Sequence, residues 1–219
     1  MTDGILLIDK PGEMTSFGVV ARIRRVLSKQ AGKKVKVGHT GTLDPFATGL
    51  MILVIGKECR NAGTYTKLDK VYEATIILGQ ESTTGDPEGE LTHASDYQPT
   101  REEVDTALEQ FRGEIQQRPP IFSAIKINGQ RAYKLARDGK EVEIPLRTIT
   151  VHSLEVVSYA YPALTIRTHV SSGTYIRSLA VDIGRALGTG AYCKQLRRTR
   201  IADWSVDDAK QLIDFGIES

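Results

Sequence analysis

The 219-residue sequence lacks several features that define whole classes of protein. Its two cysteines, Cys59 and Cys193, form no C-x-x-C pair, which argues against a thiolate zinc site or a dithiol redox motif. The longest uninterrupted apolar run, Leu50 to Ile55, has six residues, whereas a membrane-spanning helix needs roughly 20. The first ten residues carry an acid where a secretion signal carries basic residues. We therefore expect a cytoplasmic protein without a membrane anchor.

Motifs of the common cofactor-dependent enzymes are also absent. There is no G-x-x-x-x-G-K-[ST], no G-x-G-x-x-G after a strand and no H-E-x-x-H, which argues against a P-loop NTPase, a Rossmann oxidoreductase and a zincin. The four histidines are scattered, with none at metal-ligand spacing. The serine-hydrolase motif G-x-S-x-G is missing too. We expect neither a metal nor a cofactor.

The net charge of +2 is small, but the basic residues are clustered. Residues 22–36 contain seven Lys and Arg and no acid. A second group comprises Lys194, Arg197, Arg198 and Arg200. Such clusters can neutralise the phosphates of a nucleic acid. They are equally compatible with a solvated face, so charge alone leaves both interpretations open.

Hydrophobic periodicity predicts strands and helices in an irregular order. The segments Gly4 to Ile8, Val71 to Leu78 and Leu164 to Val170 have the pattern of strands, and Leu50 to Ile55 that of a buried strand or helix segment. Because no βαβ repeat recurs, the order favours an α+β fold over a doubly wound one. The length predicts a single domain over residues 1–219.

Three helices are predicted from their termini and apolar spacing. Ser16 fits the N-cap of the first helix, which stops near Gly32. Thr100 and Glu103 form a capping box for the second. The third follows a Ser-Ser-Gly turn and has Ile176 on its inward face. Residues 118–148, with several turn dipeptides and many basic residues, are predicted to form a protruding insertion.

Two stretches are dense in chemically useful residues. Gly38 to Leu50 contains three glycines around His39 and Asp44, which is typical of a tight loop that holds one carboxylate near a ligand. Asp44-Pro45 is also a common way to open a turn, so a purely structural role fits as well. Arg177 lies about 100° around its helix from Ile176. Either it pairs with Asp182 or solvent, or it is a buried guanidinium that keeps a carboxylate ionised.

The first of these stretches resembles the signature loop of the TruB family of pseudouridine synthases. Five further segments resemble the same family in the same order: Asp69 to Gly79, Pro119 to Gly129, Tyr133 to Gly139, Gly173 to Arg177 and Leu196 to Arg200. The resemblance covers nearly the whole chain. In Lys10-Pro11-Gly12 the glycine stands one place earlier than is usual in the family. Family members also usually continue into an RNA-binding extension, so we expect a short form with no C-terminal PUA domain.

The resemblance implies a pseudouridine-synthase fold, a mixed and largely antiparallel sheet flanked by helices, with residues 118–148 as a thumb-like RNA-binding insertion. It implies isomerisation of a uridine to pseudouridine in RNA, with uridine 55 in the T loop of tRNA as the expected target. That isomerisation involves no net redox change and no energy input, in agreement with the missing cofactor motifs. The expected partner is the T arm of tRNA, bound by a monomer that needs no protein partner.

The resemblance also assigns site residues. The catalytic residues would be Asp44, Tyr72 and Arg177. Asp44 would act on the ribose, either as a nucleophile at C1′ or as a base at C2′. Arg177 would keep Asp44 ionised, and Tyr72 would stack on the uracil after it is flipped out of the RNA. His39 would occupy the space that the flipped base leaves. The expected substrate-binding or RNA-binding residues are His39, Lys10, Thr42, Lys126, Tyr175, Leu196 and Arg197.

Three other interpretations belong to different classes. A non-catalytic RNA-binding or RNA-folding protein would have no need of Asp44, Tyr72 and Arg177 together. A guide-dependent enzyme inside a ribonucleoprotein would carry a larger C-terminal module. A hydrolase that uses Asp44 and His39 would lack an activated nucleophile or metal.

Overall fold

The strands and helices of the chain belong to two units. A computed structural model describes residues 2–120, 126–127, 130–131 and 144–218. Unit 1 comprises Met1–Glu73 and Leu196–Ser219, and unit 2 comprises Ala74–Gln195. The boundaries between the units fall inside two strands, Lys70–Leu78 and Ala191–Ile201. Whether the chain acts as one catalytic domain stays a prediction.

Unit 1 is built around a buried strand. Its elements are β1 (Gly4–Lys10), α1 (Ser16–Ala31), β2 (Val37–His39), β3 (Thr48–Ile55), α2 (Ala62–Thr66), the start of β4 (Lys70–Leu78), the end of β12 (Ala191–Ile201), β13 (Trp204–Ser205), and 3-10 helices at Gly56–Asn61, Val206–Asp208 and Leu212–Phe215. Strand β3 pairs antiparallel with β1 on one edge. On its other edge it pairs antiparallel with β2 and, at its start, parallel with β12. The uninterrupted apolar run of the sequence is therefore a central strand, as expected for a segment covered on both faces.

Helix α1 packs an apolar stripe into the core of unit 1. Val19, Val20, Ile23 and Leu27 are buried, at the i, i+1, i+4, i+8 spacing of one helix face. Gly32 ends the helix in the left-handed conformation with φ 62°, as the sequence predicted. The predicted N-cap was wrong by one residue, because Thr15 caps the helix through the backbone N–H of Gly18. Ser16 is the first helical residue and has a different role.

Unit 2 is also a sheet with helices. Its elements in chain order are the end of β4, β5 (Gln80–Ser82), β6 (Leu91–His93), α3 (Arg101–Glu109), β7 (Gly113–Gln117), β8 (Lys126–Ile127), β9 (Gln130–Arg131), β10 (Arg147–Ala160), β11 (Ala163–Val170), α4 (Ile176–Ala186) and the start of β12. The strands lie in the order β4-β11-β10-β7, with β10 antiparallel to both neighbours. Strands β5 and β6 form a separate hairpin. The Thr100 and Glu103 capping box of α3 is present, as predicted.

The fold confirms the predicted α+β class, a mixed and mostly antiparallel sheet flanked by helices. Much of the predicted insertion at 118–148 lies outside the described residues, which include only the antiparallel pair Lys126–Ile127 and Gln130–Arg131 from its middle. No helix within the described part of the chain is both long and apolar enough to cross a membrane.

Candidate active site

The loop that carries Asp44 joins β2 to β3 in unit 1 and is fixed to the start of helix α1. The hydroxyl of Ser16 accepts a hydrogen bond of 2.8 Å from the backbone N–H of Leu43 and donates one of 2.9 Å to its carbonyl oxygen. Both residues are 3% exposed. One buried hydroxyl thus satisfies both backbone groups of the residue that precedes Asp44.

Two buried cations hold the same loop from other directions. The ammonium of Lys10, which is fully buried, donates to the carbonyl oxygens of Pro11, Met14 and Pro45 at 2.8, 2.6 and 3.1 Å. The guanidinium of Arg198 is 1% exposed and donates to the carbonyl oxygens of Gly41 and Leu50 at 3.1 and 2.7 Å. Since Pro45 follows Asp44 directly, the carboxylate-bearing residue lies between anchored neighbours.

Gly49 allows the strand after the loop to approach Arg198. Its φ is +107°, and a Cβ atom there would lie 2.3 Å from the backbone oxygen of Arg198. No other residue fits this position without moving one of the strands. Gly49 pairs with Arg198 in the parallel register between β3 and β12. The glycine at the end of the predicted loop therefore sets the distance between the two strands that position Arg198.

Arg198 gives this part of unit 1 a positive potential. Burial, with a smaller contribution from the Arg198 charge, lowers the pKa of His39, so its imidazole is neutral at pH 7. The same two causes lower the pKa of Lys70 to about 8. Lys70 is buried and donates to the carbonyl oxygens of Thr66 and Leu68. The Nδ1 atom of His39 is buried and has no hydrogen-bond partner among the described residues.

The remaining predicted site residues of unit 1 occupy different environments. Tyr72 in β4 and Leu196 in β12 are each 7% exposed, whereas Thr42 is exposed on the Asp44 loop. The guanidinium of Arg197 forms two hydrogen bonds with the carboxylate of Asp9, at 3.1 and 2.8 Å. The hydrogen bond that Arg197 donates to the Asp9 carboxylate raises the pKa of Arg197. Arg197 is thus already paired with an acid of the protein.

In unit 2 the buried guanidinium of Arg177 pairs with Asp86. Its Nη1 atom donates to the Asp86 carboxylate at 2.9 Å and to the carbonyl oxygen of Thr84 at 3.1 Å. The two side chains are 5% and 4% exposed. The suggestion that Arg177 pairs with Asp182 was wrong, since Asp182 forms its ion pair with Arg185 at 3.0 Å. Arg177 is buried, as the second interpretation expected, and its role toward a catalytic carboxylate stays a prediction.

Asp86 is held in place by the polar loop at Thr83–Gly89. Its second carboxylate oxygen accepts from the hydroxyl of Thr84 at 2.6 Å and from the backbone N–H of Glu88 at 3.0 Å. Gly85 has a φ of +73°, which a residue with a side chain rarely adopts. The sequence predicted only a loop here. The available signal was an Asp-Pro dipeptide between two glycines, the same type of pattern that drew attention to Asp44.

The segment before α4 is fixed by an amide side chain that the sequence did not single out. Gln117, 1% exposed at the end of β7, accepts from the backbone N–H of Tyr175 at 2.8 Å and donates to its carbonyl oxygen at 3.0 Å. Tyr175 precedes the first residue of the helix. Gln117 therefore sets where α4 begins, and hence where Arg177 lies.

His152 and His169, which the sequence separates, lie side by side on β10 and β11, with ring centroids 4.6 Å apart. Strand pairing brings them together, an effect that histidine spacing does not reveal. The prediction of a protein without a metal is not tested by this pair. The side chain of Lys126 lies outside the described residues, so its predicted RNA contact stays a prediction.

The predicted site residues fall into two clusters. In unit 1, His39, Thr42 and Asp44 lie on one short segment, and Lys10 and Arg198 are bonded to its backbone. Unit 2 brings together Tyr175, Arg177 and Asp86. The first cluster offers a carboxylate on a loop whose backbone is bonded to two buried cations, and the second a buried guanidinium paired with Asp86. These are the groups that acid–base or nucleophilic chemistry on a sugar requires.

Comparison with solved structures shows which known protein this fold is similar to. The chain superposes on one described as a Cbf5-Nop10-Gar1 complex with a TM-score of 0.75 and 31% sequence identity. The match covers 97% of this chain and 53% of the matched chain, so the protein spans about half of its length.

Two family models match the chain and settle its membership. Residues 24–176 match the N-terminal domain of the TruB family pseudouridylate synthases, and residues 177–215 match the C-terminal domain of tRNA pseudouridylate synthase B. The protein belongs to the TruB family, a family of enzymes. The resemblance inferred from the sequence motifs is thereby confirmed.

Curated relatives agree with this assignment. A protein named tRNA pseudouridine synthase B from Azoarcus sp. (strain BH72) is 43% identical over 97% of this chain, which spans 69% of that relative. One of the same name from Phocaeicola vulgatus is 44% identical over 96% of this chain, which spans 91% of that relative. The similarity extends over nearly the entire sequence.

Proposed function

We propose that the protein isomerises a specific uridine of tRNA to pseudouridine, with uridine 55 of the T loop as its target. The observation that carries the proposal is the anchoring of the Asp44 loop by Ser16, Lys10 and Arg198. A loop that only reversed the chain would not need two buried cations on its backbone. Family membership and relatives named tRNA pseudouridine synthase B supply the substrate.

In the proposed reaction, Asp44 acts on the ribose and the bond between C1′ of the ribose and N1 of uracil breaks. The uracil turns, C5 forms the new bond to C1′, C5 loses its proton and N1 gains one. The family resemblance assigns Arg177 the role of keeping the Asp44 carboxylate ionised. The buried guanidinium of Arg198 adds a positive charge at the loop that carries Asp44. The two possible first steps, attack at C1′ and removal of a proton at C2′, use the same carboxylate.

The target uridine has to leave the folded T loop, at a cost of a few kcal/mol. Tyr72 stacks on the extruded uracil, and His39 takes the space that the base leaves. A neutral imidazole both donates and accepts hydrogen bonds. The buried Nδ1 of His39, without a partner among the described residues, is available for this purpose. The other residues proposed to bind the RNA are Thr42, Tyr175, Leu196 and Lys126.

The environments of Lys10 and Arg197 give them supporting roles in this proposal. Lys10 acts through the loop backbone, because its ammonium donates to three carbonyl oxygens. Arg197 contributes to RNA binding while it stays paired with Asp9. The enzyme works as a cytoplasmic monomer, without a cofactor or an obligatory protein partner. The chain is 43–44% identical to relatives named tRNA pseudouridine synthase B and 31% identical to the matched chain of the Cbf5-Nop10-Gar1 complex. The higher identity favours an enzyme that acts alone over a subunit of a ribonucleoprotein.

The test is pseudouridine formation in unmodified tRNA, and separately in a T-arm hairpin, with the purified chain alone. We expect the T-loop uridine to be modified in both RNAs. Asp44→Asn should abolish turnover while the Kd for tRNA stays within about tenfold of the wild type, because the change is isosteric and removes one charge. Tight binding without modification by the wild type would indicate the RNA-folding interpretation, and loss of binding in Asp44→Asn would make Asp44 structural.

A further inference from the structure

A basic groove lies along helix α1 in unit 1. Its volume is about 590 Å³ and it is lined by Ala21, Ser28 and four cations, Arg22, Arg24, Arg25 and Lys34. A second depression of about 370 Å³ shares Lys34 and adds the cations Lys33, Lys36, Lys57 and Arg60. The two depressions form one surface with eight basic side chains, which we call the basic groove.

The basic groove has almost no acidic residues to balance this charge. Among the described residues, Asp3 is the one acid that lines it, and its carboxylate accepts a hydrogen bond from the backbone N–H of Lys57. None of the eight cations forms an ion pair within the described part of the chain. On α3 and α4, by contrast, Arg101 and Arg185 each pair with an acid of the same helix.

A solvated surface usually mixes charges of both signs, because like charges repel one another and reduce stability. A surface that carries eight cations and, among the described residues, a single acid is instead suited to a polyanion. The spacing along α1 supports an extended ligand. Arg22 and Arg25 of the basic groove and Lys29, which lines neither depression, recur at i, i+3 and i+7, so they form one stripe about 10 Å long.

Two polyanionic surfaces fit such a stripe, an RNA backbone and an acidic membrane. A helix that binds a membrane inserts its apolar face, but the apolar face of α1 is buried in the core of unit 1. Phe17, 63% exposed and 5.9 Å from the guanidinium of Arg24, is the one large apolar side chain of α1 left outside. The observations therefore favour RNA.

Helix α1 also links the basic groove to the Asp44 loop. Ser16, at the start of the helix, is bonded to Leu43 of that loop. Arg25 and Lys29 follow nine and thirteen residues later, about 14 and 20 Å along the helix axis. An RNA whose target base reaches Asp44 has backbone phosphates at such distances, because its strand continues on both sides of the base.

We propose that the basic groove binds backbone phosphates of the tRNA outside the catalytic pocket, as a sequence-independent second contact. The inference rests on the proposed function for the identity of the RNA. Phosphate contacts position a nucleic acid and carry no sequence information. The basic groove therefore contributes to tRNA affinity and its salt dependence, and leaves the chemical step unchanged.

The test compares two variants that remove the same charge. Arg25→Gln with Lys34→Gln removes two exposed cations of the basic groove, and Arg101→Gln with Lys210→Gln removes two exposed cations elsewhere. For unmodified tRNA we expect the first variant to raise Kd about fivefold, and the second to change it less than twofold. Each lost phosphate contact lowers the slope of log Kd against log salt by about 0.7–0.9, so the first variant should lose between about 1 and 2. Its kcat at saturating tRNA should equal that of the wild type.

Equal Kd values and salt slopes for the two variants would overturn the proposal. A second result would also overturn it. If the wild type binds phosphatidylserine-containing vesicles and the first variant does not, while the salt dependence of its Kd for tRNA is unchanged, the basic groove binds a membrane. A different result would refute the proposed function. A wild-type chain that binds tRNA but forms no pseudouridine would refute it, and the salt slopes would still report on the basic groove.

Discussion

Replacing Ser16 by Ala removes a single oxygen atom from the junction between helix α1 and the Asp44 loop. That oxygen serves both the N–H and the carbonyl of Leu43, at 2.8 and 2.9 Å, where both residues are 3% exposed. A buried backbone group that loses its partner costs about 1–3 kcal/mol. With two such groups, we expect Ser16→Ala to lower the free energy of unfolding by about 2–6 kcal/mol.

The same change should impair catalysis more than RNA binding. Without the Ser16 hydroxyl, the loop keeps its bonds to Lys10 and Arg198 but is free to shift near Leu43. Misplacing a catalytic group by about 1 Å can cost about 100-fold in rate. We expect kcat to fall about 100-fold, measured as tritium released from tRNA labelled at uridine C5, and Kd for tRNA to change less than threefold.

Thr15→Ala is the matched control for Ser16→Ala. It removes a hydroxyl from the adjacent residue, which caps α1 through the N–H of Gly18 at 2.9 Å. Loss of such a cap costs about 1 kcal/mol. At a temperature where both variants are folded, kcat should fall for Ser16→Ala and stay near the wild type for Thr15→Ala. Equal kcat values in the two variants would refute the idea that Ser16 positions the loop.

The remaining predictions concern two other buried charges. Asp86→Asn removes the carboxylate that pairs with buried Arg177, so it should lower the free energy of unfolding by about 3 kcal/mol and kcat at least tenfold. Asp182→Asn, at the partly exposed pair with Arg185, should cost less than about 0.5 kcal/mol. Equal losses of unfolding free energy for Asp86→Asn and Asp182→Asn, measured by urea unfolding, would contradict this reasoning. Lys70 has a folded-state pKa of about 8 instead of the usual 10.5. Between these two pH values the unfolded chain therefore binds more protons than the folded chain. The free energy of unfolding should rise with pH across that window. Lys70→Met should show less of this rise, and an unchanged slope would contradict the assignment.

The fold could be predicted wherever its causes are local in sequence. Gly32 ends α1 because it adopts a positive φ, and Thr100 starts α3 through a capping box. Both effects involve residues within one turn of the helix. At the start of α1, two adjacent hydroxyl residues could serve as N-cap, and local chemistry does not distinguish them. The structure uses Thr15, because the hydroxyl of Ser16 is bonded to Leu43, 27 residues away.

The candidate site was predictable to the same extent. Glycines around Asp44 indicated a functional loop, and the structure confirms that the loop is tightly fixed. The residues that fix it are distant in sequence, since 35 residues separate Lys10 from Pro45 and 157 separate Arg198 from Gly41. Asp86 is likewise 91 residues from Arg177. No periodicity or spacing connects such pairs, because they meet only through the pairing order of the strands.

The number and positions of the charged residues can be read from the sequence, but the contacts that each charge makes cannot. The RNA contacts expected of Lys10 and Arg197 stay predictions. In the structure the first donates to three carbonyl oxygens and the second pairs with Asp9. Charge alone leaves two interpretations of the run at 22–36 open, and in the structure side chains of this run line a groove without ion pairs in the described part of the chain. Burial therefore divides the cations into two groups with different consequences. Neutralising an exposed cation of the groove should change Kd and its salt dependence, whereas neutralising buried Lys10 should lower kcat and stability, because its charge acts on the loop that holds Asp44.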